Sequence, residues 1–205
     1  MLKGVYIGNC PMIDASFPRG LWPPNLCFLG IGGLKKPISE WGNQNFPPSL
    51  VYLCLWDEPD VRNFSRLSHL FPSSLTSLDI SEFYNLESLS TGLQHLTSLQ
   101  HLTIHRCPKV KDLPETLLPS LLSLMIDECP KLEERCSGRG SHYWPRISHI
   151  PCIFMDGRSS ELTLVRVLEH ILMDLLGDGT FTVDQVKFKN REKSQGVNFQ
   201  GKYLG

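Results

Sequence analysis

Neither sign of charge dominates this chain: 20 lysines and arginines stand against 21 aspartates and glutamates in 205 residues, a formal net charge of −1. No global field therefore draws it to nucleic acid or to an anionic membrane. Long apolar runs are missing too. The richest stretch, 162–176, is interrupted by Arg166, Glu169, His170 and Asp174, whereas a membrane-spanning helix needs about 20 consecutive apolar residues. The opening MLKGVYIGNCP lacks a charged segment followed by an apolar one, so no secretory signal is expected. The seven cysteines are an odd number without C-x-x-C spacing, which fits free thiols in a reducing compartment. The expected location is cytoplasmic, where the sequon Asn63-Phe64-Ser65 would be inert.

Catalytic signatures are also lacking. The chain holds no G-x-x-x-x-G-K-[ST] loop to cradle phosphates, no G-x-S-x-G elbow and no H-E-x-x-H pair. No enzymatic activity, metal or cofactor is expected. With 41% hydrophobic and 20% charged residues the chain has enough apolar side chains for a packed core, which excludes overall disorder.

The chain does repeat itself. The segment LTSLDISEFYNLESL, 75–89, aligns without gaps on LQHLTIHRCPKVKDL, 99–113, at a shift of 24 residues. The core L-x-x-L-x-[IL] recurs at Leu26-Leu29-Ile31, Leu50-Leu53-Leu55 and Leu121-Leu124-Ile126, with Leu2-Val5-Ile7 a weaker version. Six repeats thus begin at residues 2, 26, 50, 75, 99 and 121. Such a period lies in the window of about 20 to 29 residues that marks leucine-rich repeats. One unit cannot bury its leucines alone, so neighbours stack into a curved solenoid with one short parallel strand per turn. The expected fold is an α/β-type leucine-rich-repeat solenoid with a mostly irregular convex side and a C-terminal helical tail.

Side chains of a strand alternate faces. Leu102 and Ile104 therefore point inward, while His101, Thr103 and His105 point outward onto the concave side. Cys10, Cys107 and Cys129 share one repeat position, each followed by proline (Pro11, Pro108, Pro130). A small side chain there turns in beneath the strand and bonds backbone groups of the adjacent coil. A metal site of Cys107 with His101 and His105 is weighed against two exposed histidines and a buried corner thiol, and the second is preferred.

The six repeats are placed at 1–135. The period then fails through 136–157, where Gly138, Gly140, Trp144, Pro145 and Pro151 mark an irregular terminal cap; the large aromatics Tyr143 and Trp144 are expected to cover the last coil, with Trp144 read as a core plug rather than a ligand platform. In the tail, 158–205, Leu162, Val165, Leu168, Leu172, Leu175 and Leu176 recur at helical spacing. That spacing predicts an amphipathic helix over 161–176, ended by Gly177-Asp178-Gly179 and followed by a mobile end.

The strings LQHLTIHRCPKV and LLSLMIDECPKL, then KLEERC and WPRISHIP, resemble the C-terminal leucine-rich-repeat region of plant coiled-coil NB-ARC disease-resistance proteins, over roughly residues 1 to 157. The resemblance implies the sensor part of an intracellular immune receptor. Such a part recognises a pathogen effector or a guarded host protein and restrains an NB-ARC domain that switches between ATP and ADP. Any nucleotide belongs to that domain, which this chain lacks. The alternatives are a repeat-type substrate adaptor of a ubiquitin ligase, which would need an upstream F-box, or a non-functional truncated gene product. A start directly on the repeat leucine Leu2 reads as truncation.

The expected partner is a protein, with no nucleic acid and no membrane span. Candidate partner-binding residues on the concave face are Tyr52, Trp56, Asp79, His101, Thr103, His105, Met125 and Asp127. Six strands at about 4.8 Å spacing span roughly 24 Å, enough for a protein surface and large for a metabolite.

Overall fold

The computed structural model of the chain describes residues 3–8, 22–40, 45–138 and 140–155. Within them lie seven short strands: β1 (Gly4–Gly8), β2 (Phe28–Gly32), β3 (Tyr52–Trp56), β4 (Ser77–Ser81), β5 (His101–His105), β6 (Ser123–Asp127) and β7 (Cys152–Met155). They form one parallel sheet whose spatial order is the chain order. This is a solenoid of the leucine-rich-repeat type.

The register explains why the leucines recur. Leu29, Leu53, Leu78, Leu102 and Leu124 are partners in successive strands, as are Ile31, Leu55, Ile80, Ile104 and Ile126. All ten are 0–1% exposed. The leading leucines Leu26, Leu50, Leu75 and Leu99 are equally buried, so each coil adds three side chains to a continuous interior. A second, aromatic ladder runs beneath: Trp22, Phe46, Phe71, Phe64 and Phe83 follow one another at centroid distances of 5.7–6.3 Å.

Every strand from β2 to β6 ends at a residue with left-handed backbone: Gly33, Asp57, Glu82, Arg106 and Glu128, with φ between 51° and 60°. For the four non-glycine residues this conformation costs about 1 kcal/mol or more each. The return is a hydrogen bond, because the turned N–H reaches the next coil: Asp57 N donates to Ser81 O at 3.2 Å, Glu82 N to His105 O and Arg106 N to Asp127 O, both at 3.0 Å. The parallel ladder is thereby prolonged past the strand end.

The next corner position is filled by Glu58, Phe83, Cys107 and Cys129. Cys107 N donates to Cys129 Sγ at 3.3 Å, and Cys129 Sγ lies 3.6 Å from Ile104 O, so these thiols knit adjacent coils as their repeat position implies. Hydrogen bonding between the two thiols, and burial after it, raises the Cys107 pKa. Cys10 lies outside the described residues. The return segments are mostly irregular, with single 3₁₀ turns at Ile38–Glu40, Phe64–Arg66, Ser68–Leu70 and Leu118–Ser120. Serine hydroxyls that precede a repeat leucine cap the coil before: Ser49 Oγ donates to Leu26 O, Ser74 Oγ to Leu50 O and Ser120 Oγ to Leu99 O, at 2.8–3.0 Å.

Beyond β6 the chain forms α1 (Pro130–Cys136) and α2 (Trp144–Ile147) before β7 adds to the sheet. Leucine periodicity does not announce β7, since Ile153 and Met155 take the inward places. Tyr143, not Trp144, plugs this end: it is 2% exposed, and its hydroxyl accepts the Leu113 N–H at 3.1 Å. Trp144 is half-buried against the core edge. No helix among the described residues is long and apolar enough to cross a membrane. The expected helix 161–176 and the rest of the tail lie outside the described residues.

Candidate functional site

The side of the sheet that the leucines leave carries three parallel rows of side chains, set by the same register. One runs Phe28, Tyr52, Ser77, His101, Ser123; the next Tyr6, Gly30, Cys54, Asp79, Thr103, Met125; the third Gly32, Trp56, Ser81, His105, Asp127. All eight candidate residues therefore share this outward face.

Their exposure differs from the sequence reading. His101 and His105 are half-buried rather than open to solvent, Thr103 is 7% exposed, Asp127 4% and Met125 1%. Strands about 4.8 Å apart press like-facing side chains of successive coils together, and here they cover one another. Met125, for example, has Phe154 of β7 as its strand partner.

The face divides into an aromatic and a polar half. Over β1–β3 the rings stack in pairs: Phe28 on Tyr52 with centroids 4.9 Å apart and planes at 16°, and Tyr6 on Trp56 at 4.6 Å and 15°. Tyr6 and Trp56 are two strands apart, and Gly30 and Gly32 between them make the contact possible. A methyl group at Gly30 would meet the Tyr6 ring, and one at Gly32 would run into the Trp56 carbonyl oxygen. Alternating glycines in FLGIG are the sequence signal for this packing.

At the boundary sits Asp79. The Tyr52 hydroxyl donates to its Oδ2 at 3.5 Å. Burial pushes the Asp79 pKa up to about 7, against the lowering effect of that hydrogen bond. Burial first, and the Asp79 charge second, also raise the pKa values of Tyr52 and Cys54. In the polar half, His105 Nδ1 lies 2.9 Å from Asp127 Oδ2. Side-chain donors of His105, Asp127 and Glu128 fall within 4.8 Å of one another. Glu128 is held by Arg106 Nε at 3.0 Å, however, and Arg106 also reaches Glu82 at 3.4 Å, so a cation there would have to displace existing pairs. Cys107 is 0% exposed in its corner, its thiol directed to the carbonyls of His105 and Ile80 rather than to the histidine rings.

Geometry thus defines a repeat solenoid with a broad, aromatic and weakly acidic sheet face. No protein-family model matches the chain, and no solved structure matches it. Over 141 residues it is similar to a disease resistance protein of Arabidopsis thaliana, at 29% identity. That stretch covers 67% of this chain and 10% of the relative, so the chain spans about a tenth of that protein's length.

Proposed function

We propose that this chain is a non-enzymatic protein-recognition module, the sensor repeats of a cytoplasmic plant immune receptor. The observation that carries this reading is the outward face itself, in which paired aromatics lie beside a carboxylate on a rigid parallel sheet. Large side chains held in place lose little entropy on binding, which is what an interface anchor requires. Similarity to a plant disease resistance protein supports a defence role. On this reading a pathogen effector or guarded host protein engages the face, while an NB-ARC domain, carrying any ATP or ADP, is the partner that the repeats restrain.

A pairwise interaction screen tests it. The folded chain is paired with an effector collection, with host defence proteins and with NB-ARC domains, beside a variant carrying Tyr6→Ala and Trp56→Ala. At least one partner is expected to bind the parent chain and lose the variant. A folded chain that binds none of them, or whose partners ignore the face, overturns the proposal.

A further inference from the structure

We propose that the aromatic half of the outward face, closed off by Asp79, is a subsite for a cationic side chain, arginine above all, presented by an extended basic segment of the partner protein. This inference rests on the recognition reading and names the chemistry of what is recognised.

Charge complementarity is the first ground. Across all seven strands no outward position holds lysine or arginine, whereas Asp79 and Asp127 are both there. Asp127 already faces His105, but Asp79 has a tyrosine hydroxyl as its hydrogen-bond partner and uncharged Cys54 and Thr103 beside it in register. A carboxylate so placed gains most from a partner that brings a positive charge. Aromatic geometry is the second. Guanidinium groups stack on aromatic faces, tryptophan best, and Trp56, on the strand next to that of Asp79, forms a stacked pair with Tyr6 of β1, which is 36% exposed. Ser77 is the third: its Oγ is buried in the row between Tyr52 and His101 and finds no hydrogen-bond partner among the described residues. A multi-donor group seated beside it can satisfy that oxygen when Tyr52 and His101 shift to admit it. Polyanions fit poorly, since they need the clustered cations that this face lacks.

Asp79 sets the pH dependence among the titratable groups around it. They are Tyr52 and Cys54 on β3, His101 and His105 on β5, and Glu82 just past β4. Ionisation of Asp79 about pH 7 favours a bound cation as pH rises.

Fluorescence anisotropy of the full chain tests the inference, using a labelled peptide that alternates arginine with glycine. Its control replaces arginine by citrulline, which keeps the shape and most donors but loses the charge. The arginine peptide is expected to bind at least about tenfold more tightly than the citrulline peptide, and Asp79→Asn to erase that difference. The amide oxygen of the substituted side chain still offers the Tyr52 hydroxyl an acceptor, and circular dichroism confirms that the variant folds. Affinity is expected to rise between pH 6 and pH 8 in the parent and to stay flat in Asp79→Asn. Equal binding of both peptides, binding unaffected by Asp79→Asn, or no binding of either peptide overturns the inference. If the interaction screen still returns a face-dependent partner, only the cationic subsite falls; if it returns none, the recognition reading falls with it.

Discussion

Glu58 accepts the backbone N–H of Ile38 with both carboxylate oxygens, at 3.0 and 3.1 Å, across 20 residues of chain. It occupies the corner position where Cys107 and Cys129 sit in later coils, is 1% exposed, and caps the 3₁₀ turn Ile38–Glu40. Burial pushes its pKa up to about 7, against the lowering effect of the Ile38 N–H.

That shift fixes a sign. The folded chain holds the Glu58 proton more tightly than the unfolded chain, whose carboxyl titrates near 4.5. Stability from this group is therefore fully present below that pH and is lost as pH rises toward 7. Asp79, also raised to about 7, acts in the same direction. Chemical denaturation from pH 5 to pH 8 is expected to show falling stability, and Glu58→Gln to remove a decline on the order of 3 kcal/mol. An unchanged slope in the variant counts against the buried carboxylate.

Leu102 and Thr103 are adjacent, and both are buried, at 0% and 7% exposed. Leu102 points into the interior of the coils, so Leu102→Ala is expected to cost about 2–5 kcal/mol through the cavity it leaves. Thr103 lies on the outward face, and Thr103→Ala is expected to cost under about 1.5 kcal/mol. Urea midpoints of the two variants check the contrast.

Gly30 and Gly32 are expected to differ on substitution. At Gly30 the added methyl meets a tyrosine ring that can swing away. Gly30→Ala should therefore keep most of the stability but lose the near-ultraviolet circular dichroism of the Tyr6–Trp56 stack. At Gly32 it meets the Trp56 backbone oxygen, which lies in the sheet, and Gly32→Ala should destabilise by about 1–3 kcal/mol.

Tyr143→Phe removes the oxygen that accepts the Leu113 N–H and contacts Asp112 Oδ1 at 3.5 Å. A buried donor left without a partner costs about 1–3 kcal/mol. Hydrogen exchange at Leu113 is expected to accelerate in the variant, with the β5 ladder amide of His105 little changed.

The strands were legible in the sequence because the repeat leucines have one physical role, inward packing, at one spacing. Register followed, and with it the membership of the outward face, from Tyr52 to Asp127. Exposure on that face was not legible. It depends on which side chain the next coil sets alongside, as Phe154 of β7 is set beside Met125. The burial of Glu58 was hidden as well, since a glutamate in a corner reads as solvated until the facing N–H of Ile38 is known. In the cap, the leucine period was absent from β7 because isoleucine and methionine filled the inward places. Tyr143 outcompeted Trp144 for the interior because its hydroxyl could answer a backbone donor.

Recognition through the aromatic half of the sheet is best examined by hydroxyl-radical footprinting of the chain with and without a partner recovered from the interaction screen. Tyr6 and Trp56 are expected to lose reactivity in the complex, while Tyr84 and Leu122, each 48% exposed and not among the outward row positions, stay as reactive as in the free chain. Protection of Tyr84 and Leu122 with Tyr6 and Trp56 unchanged would place the partner elsewhere and contradict the role assigned to this face.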